Sequence, residues 1–92
     1  MKHPIIFNLE LTTADTEYSI PLTARNRKLF FKCREDVDIR YAYKKDFVAI
    51  PIAPYMTLEE GNSRQVDVDG ALSVYFACSK PGVTMEVEIW SA

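Results

Sequence analysis

The chain has one histidine, two cysteines and three glycines in 92 residues, and each scarcity removes a class of chemistry. The lone histidine, His3, stands in a terminal stretch prone to fraying, a poor place for the base of a nucleophile–histidine pair. Cys33 and Cys78 belong to no CxxC, and no HxxxH spacing occurs, so zinc ligation has no donor set. Two thiols in separate apolar segments are also far from the dense cysteine framework of small secreted folds. Without glycine-rich runs there is no GxGxxG or P-loop to cradle phosphate. No apolar run reaches the roughly 18 residues that span a bilayer. Met1-Lys2-His3-Pro4 lacks the apolar core of a signal peptide, so synthesis in a cytoplasm is expected. A net charge of −2 and a pI near 5.3 provide no electrostatic footprint for nucleic acid or an anionic membrane. No window carries a 3.6-residue apolar stripe with caps, which excludes a helical core.

Alternation is present instead. The composition, 48% hydrophobic and 26% charged, is that of a folded protein, and residues 1–92 suffice for one domain with one core. Ile5, Phe7, Leu9 and Leu11 alternate with Ile6, Asn8 and Glu10. Residues 17–22 begin as a strand whose end Pro21 confines to an edge or a sheet exit, because proline donates nothing to the ladder. Leu29, Phe31 and Cys33 oppose Lys28, Phe30, Lys32 and Arg34. Val37, Ile39, Tyr41 and Tyr43 are expected inward, with Asp38, Arg40, Ala42 and Lys44 outward. Residues 55–60 and 65–69 give two further short strands.

Leu72, Val74, Phe76 and Cys78, followed by Met85, Val87 and Ile89 beyond Lys80-Pro81-Gly82, read as two strands of a β-hairpin. Asp69-Gly70 has the chemistry of a second hairpin turn. Residues 46–56 are the most apolar stretch and contain Pro51 and Pro54. They are expected either to fold over the core or to await a partner. About seven or eight short strands with regularly spaced turns predict an all-β domain, an antiparallel β-sandwich or jelly-roll-like barrel.

Nothing in this pattern assembles a catalytic centre or a cofactor site. Carboxylates cluster at Glu35, Asp36 and Asp38, at Glu59 and Glu60, and at Asp67 and Asp69. They fall on turns and outward positions, where solvated charge is the ordinary outcome. Asp67-Val68-Asp69-Gly70 lacks the register and terminal glutamate of a calcium loop. Arg25, Arg27, Lys28, Lys32 and Arg34 surround Phe30, an arrangement that can stack on single strands, but the acidic balance elsewhere opposes it. The informative residues are apolar ones on outward parity: Ile6, Phe30, Tyr75 and Trp90, joined by Phe47 and Ile50. Aromatics are the usual anchors of protein–protein contact, and Phe30, Phe47, Ile50, Tyr75 and Trp90 are the expected interface residues.

Six segments carry a further likeness: Tyr18 to Leu22 (YSIPL), Lys28 to Arg34 (KLFFKCR), Ile39 to Tyr43 (IRYAY), Tyr55 to Gly61, Leu72 to Cys78 (LSVYFAC) and Val87 to Trp90 (VEIW). In their order the chain resembles small β-sandwich virion proteins of tailed bacteriophages, over nearly its whole length. It departs from them at residues 46–54, an unusually apolar insert. The resemblance implies a non-enzymatic structural protein of the virion. A capsid decoration (cement) protein is the first expectation and a neck or tail component a variant. The partners expected are other copies of itself (trimers suit local three-fold axes), the major capsid protein and other virion proteins. A carbohydrate-binding sandwich, with Tyr75 and Trp90 stacking on sugars, is the alternative from another class.

Overall fold

The computed structural model describes residues 4–23, 25–49, 54–68 and 72–91. Eight strands form among them: β1 (Ile5–Leu11), β2 (Tyr18–Leu22), β3 (Asn26–Cys33), β4 (Ile39–Ala42), β5 (Met56–Leu58), β6 (Ser63–Asp67), β7 (Leu72–Ala77) and β8 (Val83–Ser91). They make two four-stranded sheets, in the orders β1-β8-β3-β6 and β2-β7-β4-β5. Every pairing is antiparallel.

The pairings are nested. First strand pairs with last (β1 with β8), second with seventh, third with sixth, and fourth with fifth. The chain is thus one long folded ribbon. Rolling it up brings β3 against β8 and β4 against β7, which closes two sheets over one core. This is the jelly-roll form of the β-sandwich.

The expected hairpin between Leu72 and Ile89 does not form. β7 and β8 lie in different sheets, so the intervening turn is a crossover. Gly82 takes a positive φ of 71° there, as its backbone freedom permits. Its N–H donates to the carbonyls of Leu11 (3.0 Å) and Thr12 (3.3 Å) at the end of β1, which ties the crossover to the neighbouring strand. β6 and β7 are likewise in different sheets, so no hairpin joins them; Asp69 and Gly70 lie outside the described residues. Alternation marked most of the side chains that face inward, but a lateral partner is chosen by backbone groups that are the same in every residue.

The core is built from the inward set of both sheets. Leu11, Leu29, Phe31, Ile39, Val74, Phe76 and Met85 are fully buried. Phe31 sits at the centre, edge-on to Tyr41 (ring centroids 4.9 Å apart) and to Phe76 (5.1 Å), the offset geometry that aromatic quadrupoles favour. Cys78 is buried and Cys33 half-buried, and both are free thiols. Burial raises the Cys33 thiol above its ordinary value, partly opposed by a hydrogen bond from the Glu35 backbone. Among the described residues, no buried side-chain nitrogen or oxygen lacks a hydrogen-bond partner.

Truncating the central ring removes contacts to both sheets at once. Phe31→Ala is expected to lower the unfolding free energy by about 3–5 kcal/mol, read as a reduced denaturation midpoint with unchanged slope in urea.

Candidate functional site

The expected interface residues that the structure describes, Phe30, Phe47, Tyr75 and Trp90, fall on two opposite outer faces. β8 and β3 place Trp90 beside Lys28, and Ile6, Glu88 and Phe30 in one row across β1, β8 and β3. Trp90 is 40% exposed and its indole N–H donates to Glu88 Oε1 at 2.9 Å, which fixes the ring two residues along the same face. Phe30 is half-buried. It lines one shallow depression with Trp90, Lys28 and Gln65 and a second with Ile6, Lys32 and Glu86.

An ion-pair cluster borders this face. Glu86 accepts from Arg34 through Nη2 (3.2 Å) and Nε (3.3 Å) and meets Lys32 Nζ at 3.3 Å. The Arg34 and then the Lys32 hydrogen bonds hold its carboxyl below the usual glutamate value. The basic residues around Phe30 thus serve partly as counterions to a strand-borne glutamate.

Phe47 and Tyr75 lie on the other face and are partly covered by their own chain. Both pack against a small second core of Ala42, Val48 and Ala77 on the outside of the β2-β7-β4-β5 sheet. Ala42, expected outward among solvated residues, is buried there, and Val48 is wholly buried. Phe47 and Val48 therefore form a lid on the outside of their own sheet. Ile50 and Pro51 lie outside the described residues.

Arg40 staples the lid. Its Nε donates to the Val48 carbonyl (2.8 Å), and its Nη2 donates to the Ala49 carbonyl (3.3 Å) and to Asp15 Oδ1 (2.8 Å). The Asp46 N–H donates to Glu17 Oε1 at 2.9 Å, which ties the same loop to the β1–β2 connection. Because Tyr75 and Trp90 stand on opposite outer faces, they do not form a common stacking platform.

Two apolar surfaces were only partly singled out from sequence, through Ile6 in the first and through Phe47 and the apolar stretch 46–56 in the second. Ile5, Ile6 and Phe7 are 52%, 68% and 47% exposed. Ile5 and Phe7 have the inward parity expected of them, yet β1 is the margin of its sheet, and burial rises only toward Leu11. The second surface is a groove of about 290 Å³ lined by Tyr41, Tyr43, Phe47, Pro54, Tyr55 and Met56. Tyr43, expected inward, is exposed because β4 ends at Ala42. Its ring stacks edge-on to Tyr41, with centroids 6.3 Å apart. Desolvation raises the Tyr43 hydroxyl above its ordinary value, with Tyr41 adding to the rise and Arg64 opposing it. Exposure beyond a strand end depends on strand length, which alternation does not define.

The carboxylates also find partners. Glu35 Oε1 accepts the Thr84 N–H at 2.7 Å, and Asp38 Oδ1 accepts the Glu60 N–H at 2.8 Å. Asp36, Asp38, Glu59 and Glu60 border one depression together with Lys80. Among the described residues, no three of the His, Cys, Asp and Glu groups are arranged to hold a metal ion.

Arg40→Ala is expected to cost about 1–3 kcal/mol by unpairing two carbonyls and one carboxylate. It should also speed tryptic cleavage after Lys44 and Lys45, and Arg40→Lys should restore little, since an ammonium lacks the fork. Because the Glu86 carboxyl is lowered by folding, its contribution to stability is complete above the ordinary glutamate value. That contribution is lost as the pH falls through the lowered one. Glu86→Gln should flatten the denaturation midpoint over that acidic window while leaving neighbouring slopes unchanged. The chain matches no family model, no curated protein and no solved structure.

Proposed function

We propose that this protein is a non-enzymatic structural component of a bacteriophage virion, a capsid decoration protein that acts by adhesion. The observation that carries the adhesive part is the uncovered apolar run Ile5-Ile6-Phe7 on a marginal strand. It is paired with a second apolar surface at Tyr43, Tyr55 and Met56. The strand orders put β1 at one lateral margin of the sandwich and β5 at the other. An adhesive subunit needs two separate contacts, one for its own kind and one for the shell it decorates. Trp90, held by Glu88, and Phe30 add a third apolar patch on the outer face.

The virion setting rests on the resemblance of six sequence segments, in their order, to small phage structural proteins. It agrees with a jelly roll, an architecture found in viral capsid domains and also in lectins. Fold alone does not select between those uses. The separation of Tyr75 from Trp90 favours the structural one.

The deciding measurement is the protein content of virions made by the genome that carries this sequence. The chain is expected in many copies per particle. Particles lacking it should lose their DNA at lower temperature and regain stability when purified protein is added back. Met56→Asp should reduce that rebinding at least about tenfold, by placing a charge in an apolar contact. Particles free of the chain would overturn the reading, and labelling at the neck or tail would move it from the shell to that assembly.

A further inference from the structure

We propose that β1 pairs antiparallel with β1 of a second copy of this chain, joining two jelly rolls edge to edge through one continuous sheet. The inference deepens the adhesive reading and does not depend on the particle.

A sandwich has four strand edges, and each exposes backbone N–H and C=O groups that a foreign strand can use. Three are defended here. β2 carries Pro21, which lacks a donor. β5 has only three residues. β6 (SRQVD) is polar and exposed along most of its length, and it turns Arg64 toward the core side, opposite Phe31. An inward charge on an edge is a recognised block to pairing.

β1 has none of these devices. It runs seven residues, IIFNLEL, with no proline and no charge before Glu10. Among the described residues, its only strand partner is β8. Alternate residues of such a strand turn their N–H and C=O groups to the free side. The side chains flanking that side, Ile5, Ile6 and Phe7, are left between 47% and 68% exposed.

The occupant follows from the same comparison. A strand of this chain offered to β1 has to come from an undefended edge, and among the described strands only β1 itself qualifies. Antiparallel pairing about a two-fold axis perpendicular to the sheet keeps both inward parities on one side. Centred on Phe7, it sets Phe7 on its own copy, Ile5 on Leu9 and Ile6 on Asn8, so each exposed apolar side chain gains a neighbour. The single carboxylate of β1, Glu10, then faces Pro4 of the other copy. Like charges directly opposite would destabilise the pair, and this register has none. An isologous contact also closes on itself, whereas a head-to-tail contact through a different edge would propagate into fibres.

The test is sedimentation and amide exchange on the full chain. The wild type should be a dimer at micromolar concentration, with alternate β1 amides exchanging more slowly as concentration rises. Phe7→Lys should weaken the dimer at least about thirtyfold while keeping the β-sheet circular dichroism, and Glu59→Lys, remote from β1, should not. Should Phe7→Lys fail to fold, the wild-type exchange data alone decide. A monomer at all concentrations, a trimer, or a dimer whose β1 amides exchange freely would each overturn the pairing. A monomer that is nevertheless abundant in virions sinks only this inference. A β1-paired dimer absent from virions sinks only the proposed function.

Discussion

Backbone hydrogen bonding sets the terms of this structure. In the nested ribbon, β1 waits for β8, β2 for β7 and β3 for β6; only β4 and β5 pair across a single connection. Almost every ladder therefore closes between segments far apart in sequence, and such closure brings an entropic cost before any contact rewards it. The Phe31–Tyr41–Phe76 cluster lies where the two halves of the ribbon meet. It joins β3, β4 and β7, so one group of rings holds three long-range elements.

The same constraint leaves edges, and the edges differ. Proline, brevity and an inward arginine protect three of them, whereas the fourth is long and apolar. A small sandwich has little surplus stability with which to tolerate an open edge. An uncovered, β-prone strand is a hazard in a soluble protein and an asset in one that assembles. The bare side chains of β1 and of the Tyr43–Tyr55–Met56 groove are the surfaces that the proposed assembly would cover.

The lid formed by Phe47 and Val48 shows how an apolar segment with prolines can serve its own domain. Arg40 carries the positive charge that satisfies two loop carbonyls and Asp15 at once. The segment that looked most like an open surface is thus partly spent on a second, smaller core. Sequence placed Arg40 outward, and outward it is; that its outward neighbours were a folded-back loop rather than water was not legible.

Alternation in the sequence was enough to mark out about seven or eight short strands, most of their core-facing side chains and an antiparallel all-β domain, with Pro21 at an edge or a sheet exit. Those properties are local, because a period of two assigns each side chain to a face without reference to any other segment. Only the tertiary structure decided that β7 and β8 part company, that Tyr75 and Trp90 stand on opposite faces, and that Ile5 and Phe7 are left bare. Lateral pairing is made by peptide groups common to all residues, and coverage depends on which strand ends at a margin. Neither is written in the side chains of the segment concerned.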